Sequence, residues 1–259
     1  MAMRLATWNV NGLRARLDFF FAWLDARKPD VVGLQELKLT EEQFPFLELQ
    51  ARGYVAQVLG QKSWNGVAVV SKEPATVVQR GLPGREADGA RLISVDVSGI
   101  RFSTVYVPNG KSVSHADYAK KLSWLDRLVE HMGEIHSAER PGLIGGDFNV
   151  VPAAIDSWDE DRLHGQIFHT ADERARLEAL TAVGLSDLYR AKHPEAKAFS
   201  WWDYRGGAFH KKQGLRIDLI YGTPALEARM TDAVIDRDFR KKQAGLTASD
   251  HAPVWVDID

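Results

Sequence analysis

Short polar stretches at the ends of apolar runs carry the residues that could do chemistry in this chain. In GGDFNV (145–150), Gly145 and Gly146 precede Asp147 and Asn149, and Leu143–Ile144 lead in as a buried run. TWNVNGLRA (7–15) repeats the pattern, with Asn9 and Asn11 two apart and then Gly12. Side chains alternate along an extended chain, so each pair is expected to point one way. The glycines let a ligand or another backbone come close. The same residue types also form ordinary turns. LQELK (34–38) ends a buried run with Glu36 and Lys38, which alone reads as a solvated salt bridge. In LRIDLI (215–220), Asp218 is expected inside an apolar strand, where a carboxylate needs a partner. SDHAPV (249–254) places Asp250 and His251 directly before a strand with Val254, Val256 and Ile258 on one face.

Together these are carboxylates, amides and an imidazole, in a chain with no cysteine. That hard-donor set suits Mg²⁺, with Mn²⁺ as a substitute, and suits structural zinc poorly. Asp218 and His251 could pair, which would fix the ring's tautomer. Such groups can polarise a phosphoryl oxygen, orient a water and stabilise developing negative charge. The reaction class is metal-assisted phosphodiester hydrolysis. Cysteine nucleophiles are excluded, and neither a nucleophile-elbow serine nor an HExxH helix is present. Gly110-Lys111-Ser112 ends like a phosphate loop, but position 105 is Val where that loop needs Gly.

The elements that position these groups follow from periodicity. Leu17, Phe20, Phe21 and Leu24 predict a helix over 17–28, ended by Pro29. Tyr118, Leu122, Leu125, Val129 and Met132 predict another, closing near Ser137, and 171–183 a third with Gly184 as its cap. Strands are expected at 4–10, 31–34, 64–72, 91–97, 101–107, 143–147, 215–220 and 254–258, with 152–169 irregular. Strands in runs joined by hairpins imply two packed sheets with helices outside. The 259 residues, 45% hydrophobic and 26% charged, are read as one domain spanning 1–259, with no linker or internal repeat. No signal-peptide core or membrane-length apolar run is seen, so a cytoplasmic protein is expected. The net charge of −2 means that any nucleic-acid surface must be local. Trp8, Trp23 and Trp124 are expected in the core, and Arg240-Lys241-Lys242 on the solvated surface.

TWNVNGLRA, LQELK, YVPNG (106–110), GGDFNV, LRIDLI and SDHAPV occur in the order and near the spacing of the exonuclease III family of apurinic/apyrimidinic endonucleases. The chain resembles that family, part of the endonuclease/exonuclease/phosphatase superfamily, from Arg4 onward. The resemblance implies a four-layered α/β sandwich, two mixed sheets flanked by helices, with the site at the sheet edge. It implies a Mg²⁺-dependent DNA-repair hydrolase, working as a monomer, that cuts 5′ to abasic sites and trims 3′ ends of double-stranded DNA. By position, Glu36 resembles the main metal ligand; Asn9, Asp147, Asn149, Asp250 and His251 complete the implied metal set. Tyr106, Asp147, Asn149, Asp218 and His251 resemble the catalytic residues, with Asp147 or His251 as proton acceptor. Asn11, Arg14, Lys38, Arg91, Asn109 and Lys111 resemble DNA contacts, joined by Lys211 from the 206–214 loop. Trp201 and Leu215 resemble a pocket for a base-free sugar. Asn11 stands where other members carry Asp, and some relatives have Trp at the Leu215 position. Other readings are a 3′–5′ exonuclease specialist, another phosphodiesterase or phosphatase of this fold, and a non-catalytic RNA-binding regulator. The retained acids weigh against the last.

Overall fold

The computed structural model describes residues 2–243 and 245–259. Runs rich in Val, Ile and aromatic residues become the strands, in chain order β1 (Met3–Asn9), β2 (Val31–Gln35), β3 (Val55–Leu59), β4 (Val67–Ser71), β5 (Thr76–Arg80), β6 (Leu92–Val97), β7 (Ile100–Tyr106), β8 (Gly142–Asp147), β9 (Ser186–Asp187), β10 (Asp218–Gly222), β11 (Met230–Ile235) and β12 (Val254–Ile258). They form two six-stranded sheets, ordered β11-β12-β1-β2-β4-β3 and β5-β6-β7-β8-β10-β9. Each sheet has one parallel pair at its centre, β1 with β2 and β7 with β8. The other neighbours are antiparallel. Taken from β11 and from β5, with β1 counted after β12, the two sheets share one pattern of strand order and direction, the last two strands of each being swapped. The sequence shows no repeat, but the topology does.

The sheets pack face to face through Leu5, Val31, Phe102, Leu143, Ile220 and Val256. On the outer face of the first sheet, the helix Leu17–Arg27 buries Phe19, Phe20 and Trp23 against Trp8. Lys28, at φ 49°, ends it just before Pro29. The helices Ala116–Ile135 and Ala171–Ala182 cover the second sheet with Trp124, Leu128 and Leu180. This is the expected four-layered sandwich, and Trp8, Trp23 and Trp124 lie in its core. No helix among the described residues is long and apolar enough to cross a membrane.

Toward the end where β1, β2, β7 and β8 finish, the layer between the sheets turns polar. Gln35 Nε2 donates to Thr7 Oγ1 at 2.8 Å in its own sheet and to Thr104 Oγ1 at 2.7 Å in the other. The backbones come very close here. A Cβ on Gly146 would lie 1.9 Å from the Val105 carbonyl oxygen, so this glycine makes room for backbone rather than ligand.

Three expectations need correction. Asp218 does not lie inside a strand but opens β10. The preceding Leu215 makes isolated bridges to Ser157 and Trp201, because the Trp201 and Leu215 backbones exchange hydrogen bonds there. The 152–169 stretch holds a short helix, Glu160–Leu163, and a buried Asp156 paired with Arg190 at 2.5 Å and Arg216 at 2.6 Å. Arg240 is not solvated surface: it is buried and donates to the carbonyls of Trp202 and Asp250.

Candidate active site

Polar residues that follow β1 and β8 turn in the same way. Asn9 Oδ1 accepts from Asn11 N, and Asp147 Oδ1 accepts from Asn149 N, each at 2.9 Å. Both are Asx turns, and the third residue of each is left-handed, Asn11 at φ 46° and Asn149 at φ 49°. The alternation expected of an extended chain therefore stops at Asn9 and Asp147. Glu36 and Lys38, at φ 53° and 56°, lie just past β2 in the same region. Left-handed conformation costs a non-glycine residue of order 1 kcal/mol, so strain is concentrated where these loops meet.

The loops bring together groups from both sheets. One ligand atom each from Glu36, Asp147 and His251 lie within 4.8 Å of one another. Asn9 Nδ2 donates to Glu36 Oε1 at 2.8 Å and to Asp147 Oδ2 at 2.9 Å. The Asn9 nitrogen thus faces the carboxylates and bridges them. Asp218 holds His251 Nδ1 at 2.9 Å, leaving Nε2 3.8 Å from Asp147 Oδ2. Asp250 is turned away from this cluster: its oxygens accept from Asn11 Nδ2 at 2.9 Å and Trp201 Nε1 at 3.0 Å.

Burial and charge set the protonation of these groups. Burial pushes the Asp147 carboxyl well up; His251 opposes this, while Asp218 and Glu36 add to it. Burial alone would discharge His251, but the charge of Asp218 and its hydrogen bond more than reverse that and favour the imidazolium. For Glu36, the cost of burial is outweighed by the Asn9 hydrogen bond and the Lys38 ammonium, 2.9 Å away, so it is held below the usual carboxylate range. The Glu36–Lys38 pair is therefore part of the site and not a detached solvated bridge. Tyr106 is kept protonated by burial first, then by the charges of Glu36 and Asp147.

A cleft of about 360 Å³ opens beside Tyr106 and is lined by Arg91, Asn109 and Lys111 together with Trp64. Two guanidinium nitrogens of Arg91 are already spent on the carbonyls of Asp88 and Tyr106. Lys111 pairs with Asp117 at 2.7 Å, and Lys38 Nζ donates to Asn11 Oδ1 at 2.6 Å. Arg14 and Lys211 are exposed. Asn149 Nδ2 donates to the Val107 carbonyl at 3.0 Å, tying its loop to the one that carries Asn109. Leu215 and half-buried Trp201 share an apolar cluster with Trp158, Leu163 and Phe168.

Some positioning groups escape sequence reasoning. Ser200 Oγ accepts from the backbone of Ile217 and Asp218, at 3.1 and 2.9 Å. Ser249 Oγ donates to the Asn9 carbonyl at 2.7 Å, and Trp8 Nε1 donates to that of His251 at 3.1 Å. Exposed Trp64 had only a neighbouring Asn65-Gly66 as a hint.

Comparison with known proteins agrees with this fold. The sequence model of the "Endonuclease/Exonuclease/phosphatase family" matches residues 6–251. Exodeoxyribonuclease III of Haemophilus influenzae is 35% identical over 99% of this chain and 100% of that protein. The structure of the 3′ phosphatase NExo from Neisseria, bound to a product DNA hairpin, superposes with a TM-score of 0.94 at 37% identity, covering 99% of both chains. An AP endonuclease from Archaeoglobus fulgidus gives 0.94 at 33% identity, again over 99% of both.

Proposed function

Because the chain belongs to the endonuclease/exonuclease/phosphatase family, we propose that it is a Mg²⁺-dependent DNA-repair hydrolase that cuts 5′ to abasic sites and processes 3′ ends. It is an enzyme acting on DNA phosphodiesters, read here as one domain working as a cytoplasmic monomer. The observation that carries the reading is the convergence of Glu36, Asp147 and His251. Two carboxylates, in a chain with no cysteine, form a donor set that fits a hard divalent cation, and the charged His251 stands beside them. Glu36 would hold it, with Asp147 and His251 alongside. When bound, such an ion polarises a phosphoryl oxygen and makes its water more acidic.

The chain's own groups do the rest. Asp147 is a buried carboxylate with a raised proton affinity, which suits it to take a proton from water. His251, kept charged by Asp218, presents Nε2–H toward negative charge on the phosphate. Tyr106, kept protonated, can donate to the departing oxygen. Asn149 and Asn109 hold the phosphate's loop, while Arg14, Arg91 and Lys111 contribute positive charge along the strand. Cleavage of a duplex carrying one abasic analogue, with Mg²⁺ and with EDTA, tests the reading. Turnover that survives both EDTA and Glu36→Ala would overturn it.

A second reading, a 3′-end specialist, is favoured by the likeness to the 3′ phosphatase NExo of Neisseria, 37% identical over 99% of both chains. The ratio of cleavage on abasic duplex to that on a recessed 3′ end separates the two readings.

A further inference from the structure

The helix Ala116–Ile135 carries one fully buried cation, Lys121, on its core face. Its ammonium donates to the Asn149 carbonyl at 2.6 Å, the Asn109 carbonyl at 3.3 Å and Glu173 Oε1 at 2.5 Å. Glu173, also fully buried, accepts from Phe168 N at 3.2 Å, and from Thr170 N at 3.1 Å and Oγ1 at 2.8 Å. An ammonium has three donors, and each of the three has an acceptor here. Taking both charges out of water is expensive, and an apolar pair of similar volume would often be as stable. Stability alone therefore does not account for the pair. What distinguishes it is its reach: two of its three bonds go to the loops that follow β7 and β8, which carry Asn109 and Asn149. Asn149 is held in left-handed backbone at the contact, and Gly110, at φ 84°, lies against the lysine stem.

We propose that Lys121 is a positioning residue that anchors the Asn109 and Asn149 loops to each other, and so sets the phosphate-facing side of the site. The consequence for turnover rests on the hydrolase reading above; the consequence for the loops does not. Glu173 then serves only to make a buried ammonium affordable. Displacement of a catalytic group by about 1 Å can cost on the order of 100-fold in rate.

The test compares Lys121→Met, Glu173→Gln and the apolar double variant Lys121→Met/Glu173→Leu in the full chain. Hydrogen exchange over 106–111 and 147–151, melting temperature, kcat and KM on a 3′-recessed duplex are measured together. The expected result has two parts. In the double variant, melting stays near that of the parent, exchange quickens in those two segments, and kcat falls about tenfold or more with KM little changed. Glu173→Gln removes the counter-charge, but Lys121 can still donate to both carbonyls as a neutral amine, so kcat of the folded variant stays within about threefold. Native exchange in both segments of a folded double variant would overturn the proposal. So would a Glu173→Gln loss as large as that of Lys121→Met, since the ion pair itself would then be what matters. If the double variant does not fold, the Glu173→Gln and Lys121→Met contrast decides. If the parent itself turns over no DNA, the hydrolase reading fails and the exchange result alone decides this one.

Discussion

Asp147 is placed to be judged by a single atom. Changing it to Asn keeps the shape and the Asx-turn oxygen but removes the charge and the proton-accepting carboxylate. We expect Asp147→Asn to bind DNA as the parent does and to lose roughly two or more orders of magnitude in kcat. If affinity fell and kcat did not, Asp147 would be a binding group. Glu36 answers to a different measurement. Its carboxylate is held ionised by Asn9 and Lys38, so Glu36→Ala should raise the Mg²⁺ concentration needed for half-maximal rate, with little change in melting temperature. An unchanged Mg²⁺ requirement would remove Glu36 from the metal site. Both residues stood out at the ends of buried runs, but alone each also fitted a turn or a solvated ion pair; the ordered set of motifs resembling a known family is what marked them. Lys121 carried no such mark. It falls beside Leu125 and Leu128 on the buried arc of its helix, yet a lysine reads as the solvated side of any amphipathic pattern.

Elements bring these residues to their places, and two of them can be tested. Gly146 sits on β8 with the Val105 carbonyl directly over it, so Gly146→Ala has no room for its methyl. A loss of about 3 kcal/mol or more in unfolding free energy is expected from urea titration. A near-native midpoint would mean that the β7–β8 pair can open at no cost. Trp201 bridges by backbone to both Leu215 and His251 while its Nε1 holds Asp250. Trp201→Ala should therefore change the ratio of abasic to intact duplex cleavage more than it changes affinity for intact duplex. A lowered melting temperature with an unchanged ratio would make it a packing residue only. Most strands were legible because apolar runs ended at polar clusters. The start of β10 was not, since Leu215 and Ile217, alternating with Arg216, look like strand until Ser200, Arg216 and Trp201 are seen to hold them outside the sheet. Asn9 and Asn11 do not face one way as expected, because a side chain that accepts from its own backbone curls the chain.

For the whole molecule, the far end of the second sheet sets a pH limit on stability. His136, after the helix Ala116–Ile135, buries both ring nitrogens without a partner. Burial, with Arg101, His131 and Arg140 nearby, lowers its pKa to about 4. The unfolded chain titrates this group near 6.5 and the folded one near 4, so the unfolded state takes up the proton first. The stabilisation is complete above pH 6.5 and is lost as pH falls through 4, by roughly 3 kcal/mol in all. Urea unfolding across that window should show a shallower decline in His136→Leu than in the parent; parallel curves would exclude the histidine. A last consequence comes from the order of strands. β5 to β10 come from one unbroken stretch, Thr76 to Gly222, and make up the second sheet by themselves. The first sheet needs both flanks of that stretch, with Met3 pairing opposite Ile258. On the ribosome, the second sheet can close while β1 still has a bare edge. Asp250 and His251 emerge only after it. The proposed site thus lacks His251 until β1 to β11 have all been made, and a nuclease strung this way would gain its activity late in its synthesis.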